Sequence, residues 1–244
     1  MEYKRGQFKI NGKHSEEFTV YMRDRPERPS AGRVIELRER PGNDSIVMDF
    51  NYYKNVERVI SCYAKASNFE SVPFLENDIS NWLDTGSYSD FIVYYDPHYI
   101  YQAVVTSPPN FTGQRKNGLL IPFEFTVSMR PFKQSRTGSI WRTNEKLLSN
   151  TENYPSKPKI HIIGSGDISF WINDHKYDLE KVEEEIFIDS LVEESYRYLG
   201  NQLQMLDNKT FFKDYPILDK GENKIKWTGN VKELRIQPRW WTKV

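Results

Sequence analysis

The chain has 244 residues, 38% of them apolar and 28% charged, with 34 bases against 34 acids. It is too apolar and too neutral for a disordered chain, and a net charge of zero excludes a nonspecific nucleic-acid binder, which needs excess positive charge to displace counterions. No stretch of roughly 18 apolar residues is present to cross a membrane, Met1–Gly12 has no apolar leader, and Cys62, the single cysteine, leaves no internal disulfide or cysteine-based zinc cluster. The length fits one large domain or two ordinary ones. Aromatic residues, at 14%, favour β structure and contact surfaces.

In chain order, Phe8-Lys9-Ile10 leads into Asn11-Gly12, a dipeptide suited to the two positive-φ positions of a type I′ hairpin turn. Arg23–Arg40 holds six arginines and no lysine, and its prolines and glycines make it extended and looped. Val56, Val59, Ile60, Tyr63 and Ala64 form one stripe at helical spacing, with Asn55 as N-cap, so a helix is expected there. A second helix is expected over Phe74–Leu83, where Leu75, Ile79, Trp82 and Leu83 share a face and Gly86 lies just beyond. The period then changes to two. Phe91–Tyr95, Tyr99–Thr106 and Ile121–Met129 predict strands, and Pro122 predicts an edge or a bulge because it cannot donate to a ladder.

Residues 133–158 are polar and poor in apolar side chains, which places a boundary near residue 135. Beyond it lie short strand signals separated by turn residues: Lys159–Ile163 before Gly164-Ser165-Gly166, Ile168–Ile172 before Asn173-Asp174, Glu185–Ile188, Phe211–Tyr215, Lys224–Thr228 and Val231–Gln237. Strands at this spacing indicate a β-sandwich. The fold class is therefore mainly β. An N-terminal β-rich domain over residues 1–135 carries two helices, and a C-terminal β-sandwich spans residues 136–244.

Catalytic chemistry is hard to place. His14, His98, His161 and His175 are scattered without ligand spacing, and there is no GxSxG, GxxxxGK[ST] or GxGxxG motif. Cys62 sits beside an apolar stripe and reads as packed. Glu183-Glu184-Glu185 is a solvated run, and Asp189 is a strand-end residue, so no pair of carboxylates can be nominated for glycoside hydrolysis. No enzyme activity, metal or cofactor is expected.

Two features point to contacts. Arg23, Arg25, Arg28, Arg33, Arg38 and Arg40 fit a solvated hairpin with cross-strand ion pairs, a subunit interface that uses the guanidinium fork, or a loop facing a nucleic-acid channel. With Pro122 they are the candidate interface residues. Trp227, Trp240 and Trp241 gather near the C-terminus. They fill a core, or, in a lectin-like carbohydrate-binding module for host-surface adhesion, Trp240 and Trp241 would stack on sugar rings.

The order of these features resembles the distal tail proteins of long, non-contractile-tailed bacteriophages infecting Gram-positive bacteria, over nearly the whole chain. The resemblance starts with Phe8–Gly12 and Ser15-Glu16-Glu17-Phe18. It continues through the Arg- and Pro-rich loop to Arg40-Pro41-Gly42-Asn43-Asp44, Trp82-Leu83, Tyr94-Tyr95-Asp96 and Met129-Arg130-Pro131-Phe132. Asn153–Ile160, Gly221–Ile225 and Ile236-Gln237-Pro238-Arg239-Trp240 resemble the second half of that family. Arg40-Pro41-Gly42-Asn43 departs from it, where a glycine-aspartate-glycine type of turn would be expected.

The resemblance implies a homohexameric ring of N-terminal domains at the end of the tail tube, with galectin-like C-terminal sandwiches projecting outward. The ring would join the tube protein to the tail-associated lysin or fibre protein. It would contact receptor-binding and tape-measure proteins and pass DNA through its lumen without specific binding. It implies no membrane partner and no catalysis, and a location in the virion at the tail tip or baseplate after assembly in the host cytoplasm.

Overall fold

The computed structural model describes residues 3–112 and 119–244. Its contacts divide the chain into two compact units, one running to Lys133 and including Lys243–Val244, the other Gln134–Thr242. No helix among the described residues is long and apolar enough to cross a membrane.

The N-terminal unit contains β1 (Phe8–Ile10), β2 (Lys13–His14), β3 (Val20–Met22), β4 (Arg33–Arg40), β5 (Asn43–Tyr53), β6 (Val56–Lys65), α1 (Val72–Leu83), β7 (Ser89–Val93), β8 (Tyr99–Phe111) and β9 (Leu120–Met129). Its antiparallel sheet has the order β2-β1-β7-β8-β9-β6-β3, and β4 and β5 pair only with each other. Asn11 and Gly12 both take positive φ, as the β1–β2 turn requires. On α1, Ile79, Trp82 and Leu83 are buried. The Trp82 ring stacks on Phe18 at 4.5 Å, and its indole N–H donates to the Ile10 carbonyl at 3.0 Å. Phe8, Phe91, Tyr101, Phe123 and Phe125 fill the core beneath it.

The expected helix over Val56–Ala64 is a strand, so α1 is the one α-helix among the described residues. The reason lies in the two periods. Positions 56, 60 and 64 fall on one face of a helix and also on one face of a strand, so they discriminate nothing. Val59 and Tyr63, the residues that argued for a helix, point away from the core side. Val56, Arg58, Ile60, Cys62 and Ala64 are buried in strict alternation. Ten residues of antiparallel pairing with β9, from Val56 opposite Met129 to Lys65 opposite Leu120, decide the matter.

Strand β10 (Phe132–Ser135) carries the chain onward. The second unit contains β11 (Arg142–Thr143), β12 (Leu147–Asn150), β13 (Lys159–Ile172), β14 (His175–Val182), β15 (Glu185–Asp189), β16 (Glu194–Leu199), β17 (Gln202–Met205), β18 (Thr210–Phe211) and β19 (Gly221–Gln237), and β20 (Trp241–Lys243) follows. Its sheet runs β11-β19-β13-β15-β16-β17, with β12 added on β19, β14 on β13, and β18 on β14. Ile160, Ile162, Phe170, Ile186, Ile225, Leu234 and Trp240 belong to its core.

Four strands expected as separate are two long bent ones. Lys159–Ile163 and Ile168–Ile172 are one strand, β13, and Lys224–Thr228 and Val231–Gln237 are both part of β19. The glycines between them bend the strands and do not reverse them. Register shifts fall at Ile163/Gly164 and between Ser165 and Ser169, so β13 pairs with β15 before the bend and with β14 after it. A β-carbon on Gly164 would lie 2.4 Å from the Asn230 carbonyl oxygen, and one on Gly229 2.5 Å from that of Asp167. Such interior glycines mark close backbone approach at a bulge. Gly164→Ala is therefore expected to destabilise the second unit by about 2–3 kcal/mol, the usual cost of overpacking. Denaturant unfolding checks this, and a change below about 0.5 kcal/mol would contradict it.

Candidate functional site

Among the described residues, no group of three or more His, Cys, Asp or Glu side chains could hold a metal ion. His14 accepts from the Glu16 amide in a one-turn cap. His161 hydrogen-bonds Glu185 at 2.7 Å and lies flat on Phe187 at 3.9 Å. Cys62 is buried in the N-terminal core, where loss of hydration pushes its thiol pKa well up and keeps it protonated. Glu183 pairs with Arg197, away from Glu185.

The arginine-rich segment separates into two groups. The first lies in the loop after β3. Arg23 pairs with its neighbour Asp24 in solvent. Arg25 and Arg28 both place their guanidinium over the Tyr95 ring, at 5.3 and 5.8 Å. Arg28 also reaches Asp96 at 3.3 Å, and Asp96 accepts from Lys133 Nζ and from the Tyr101 hydroxyl, both at 2.5 Å. Lys133 lies 4.1 Å from the Tyr99 ring centroid. Burial opposes ionisation of Asp96, but the bonds from Lys133 and Tyr101 outweigh it and hold the carboxyl below the usual aspartate range. Burial and the neighbouring Asp96 push the Tyr101 phenol up, so it stays a donor. On the far side of the Tyr101 ring, 5.6 Å away, is the Arg58 guanidinium. Arg58 is buried, and its Nε and Nη1 have no hydrogen-bond partner.

The second group lies on the β4–β5 ribbon. Pro41 and Gly42 form a two-residue turn, with Gly42 at φ +76°. Proline followed by a positive-φ glycine makes a type II turn, which accommodates the departure from a glycine-aspartate-glycine sequence. At the base, Arg33 donates to Asp49 (2.7 Å), Asn51 Oδ1 (3.1 Å) and the Tyr53 hydroxyl (3.2 Å). These bonds hold Asp49 below the ordinary carboxylate range. Arg40 bonds only the Asp44 carbonyl at the tip. Arg38 makes no hydrogen bond or ion pair among the described residues.

Every residue from Ile35 to Tyr52 is exposed. Register places Ile35 opposite Asp49 and Leu37 opposite Val47 on one face, and Glu36 opposite Met48 and Arg38 opposite Ile46 on the other. Ile35, Leu37, Ile46, Val47, Met48, Phe50 and Tyr52 are each 42–61% exposed. Both faces of a two-stranded ribbon are therefore apolar and uncovered. Such a ribbon is marginal in water on its own, and an exposed apolar surface of this kind marks an interaction site.

Pro122 lies in β9, which is interior, between β8 and β6, and not at the expected edge. Its carbonyl accepts from the Thr112 amide at 3.0 Å, so its nitrogen faces the same way, where the β8–β9 ladder is running out. Little pairing is lost there. Trp240 is buried in the second unit's core, with its backbone against Gly138. Trp241 is partly exposed and its indole N–H donates to the Pro155 carbonyl. Trp227 packs partly buried on that core.

Sequence reasoning missed Tyr95, Asp96 and Lys133 as partners of the arginines, because that meeting is made by strands far apart in the chain. It also missed the apolar side of the ribbon. The run Ile46-Val47-Met48 beside an arginine-rich strand was the available signal.

No protein-family model matches the sequence, and no curated protein does. Solved structures do. SPP1 Dit, described as a paradigm of the hub adsorption apparatus in Gram-positive infecting phages, superposes with a TM-score of 0.70 at 10% identity, over 94% of this chain and 96% of its own. A chain of the phage p2 baseplate in its activated conformation with strontium gives 0.57 at 10% identity, over 94% and 96%. The calcium form gives 0.50 at 12%, over 98% of each. The chain thus has the fold of these phage hub and baseplate proteins along nearly its whole length.

The Asp96 cluster yields a pH test. A carboxyl held below its unfolded value contributes stability that is complete above about pH 4 and is lost as pH falls through the lower folded value. Asp96→Asn, which strands the buried Lys133 ammonium, is expected to cost about 2–3 kcal/mol at pH 7. The gap to wild type should narrow at pH 3. Equal denaturant stability of the two proteins at pH 7 would contradict this.

Proposed function

We propose that this protein is a structural hub of a phage tail, a distal tail protein that closes into a homohexameric ring at the end of the tail tube. The observation that carries the reading is the shared fold over 94% of the chain, and the uncovered β4–β5 ribbon supports it. In this reading residues 1–135 form the ring and residues 136–244 a galectin-like sandwich directed outward. The tube protein binds above, and the tail-associated lysin or fibre protein below. Receptor-binding and tape-measure proteins are further neighbours. The protein works in the virion, at the tail tip, after assembly in the host cytoplasm, and catalyses nothing.

Physical considerations agree with the reading. A ring is built from head-to-tail contacts that close, so one element must reach out and another must receive it. An exposed ribbon bearing arginine and apolar side chains on a compact unit is suited to reaching. Balanced charge, 34 bases against 34 acids, lets DNA pass through a lumen without being held, because each neutralised phosphate raises affinity. The lectin-like alternative has less to work with: Trp240 has no free face, and the Trp241 indole N–H is engaged.

Light scattering of the purified protein at rising concentration is expected to show a species of six protomer masses, with six-fold rings in electron micrographs. A closed assembly of a different order, or a protomer that stays single even with its tail partners present, would contradict the reading.

A further inference from the structure

The ribbon needs a receiving surface, and the N-terminal unit has one. Beside β6 lies a cleft of about 250 Å³ lined by Glu27, Pro29, Glu57, Arg58 and Val59. Glu27 and Glu57 are exposed, and neither carboxylate has an ion-pair partner among the described residues. Val59 is 54% exposed although its strand neighbours are buried. Arg58 turns its guanidinium to the opposite, buried side of β6, over the Tyr101 ring, so it is not offered to an incoming group there. The cleft thus combines two exposed acids and an apolar wall.

One face of the ribbon is its complement. Glu36 and Arg38 lie on that face, about 7 Å apart along the strand, opposite Met48 and Ile46. Among the described residues neither Glu36 nor Arg38 has an ion-pair partner in its own chain. We infer that the Arg38–Ile46–Met48 face of one copy seats in the Glu27–Pro29–Glu57–Val59 cleft of a second copy. Arg38 meets Glu27 and Glu57, and Ile46 and Met48 cover Val59 and Pro29. The occupant is a second copy because a cation set among apolar side chains is the complement of two exposed acids beside Val59 and Pro29, and the same chain supplies both surfaces. This inference rests on the ring reading and adds which residues make the contact.

The test uses the intact chain and two charge reversals, Arg38→Glu and Glu57→Arg, at exposed positions with no partner in the protomer. Each variant alone is expected to need on the order of tenfold more protein to assemble, because like charges then face each other at every contact. Mixed one to one, they should form rings again. In a six-membered ring the two chains alternate, so every contact is either the native Arg38–Glu57 pairing or its reverse. Native mass spectrometry reads the mixed rings directly, and unaltered thermal melting of each variant shows that the protomers are folded. If wild type forms rings while the single variants assemble equally well, or while the mixture stays dissociated, the pairing is wrong and the ring reading stands. If wild type forms no rings, both fall together.

Discussion

The structure turns on a ribbon that cannot keep both of its faces in water. Strands β4 and β5 share one ladder and pair with no third strand among the described residues, yet seven large apolar side chains stand about half exposed along them. Covering what each still exposes contributes about 1 kcal/mol, so covering all seven contributes on the order of 5–7 kcal/mol. Association costs about 4–15 kcal/mol in lost freedom. A single contact of this kind is therefore marginal. A closed ring gains one more contact than it has joining events, which favours closure over open pairs.

The rest of the N-terminal unit holds that ribbon in place. Arg33 ties its two strands together at the base through Asp49, Asn51 and Tyr53. The preceding loop is fixed by Arg25 and Arg28 on Tyr95 and by the Arg28–Asp96–Lys133 cluster. Two cations, Arg28 and Lys133, share one carboxylate, Asp96, and Arg25 and Arg58 lie on the neighbouring rings. Aromatic faces carry part of that imbalance, since Tyr95, Tyr99 and Tyr101 each receive a cation. In the second unit, Arg239 donates to both Asp189 oxygens and fixes the turn before Trp240 and Trp241.

How much of this was legible in the sequence depends on the range of the interaction. Local chemistry was readable: Asn11-Gly12 turns, Asn173-Asp174 turns, α1 lies where its apolar spacing placed it, and alternation gave β9. Strand β6 was misread because positions 56, 60 and 64 satisfy both periods and only the pairing with β9 separates them. Gly164 and Gly229 look like turn glycines in the sequence, because bulge glycines and turn glycines are alike until the partner backbone is known. Pro122 points in sequence to an edge or a bulge; its strand is interior, and its tolerance there depends on where the irregular β8–β9 ladder ends. Arg58, in a stretch read as a helix, carried no sign that it would be buried. The family resemblance was visible in the order of short motifs, although at 10% identity no single motif carries it.

The central claim, that the ribbon is covered by neighbouring copies, is tested most directly by hydrogen exchange over Arg33–Tyr53, compared between dilute protomer and assembled protein. The account expects ribbon amides that exchange quickly in the protomer and at least about tenfold more slowly after assembly, as partner contacts suppress local opening. A ribbon that exchanges as fast in the assembly as in the protomer, while protection arises elsewhere on the unit, would contradict it.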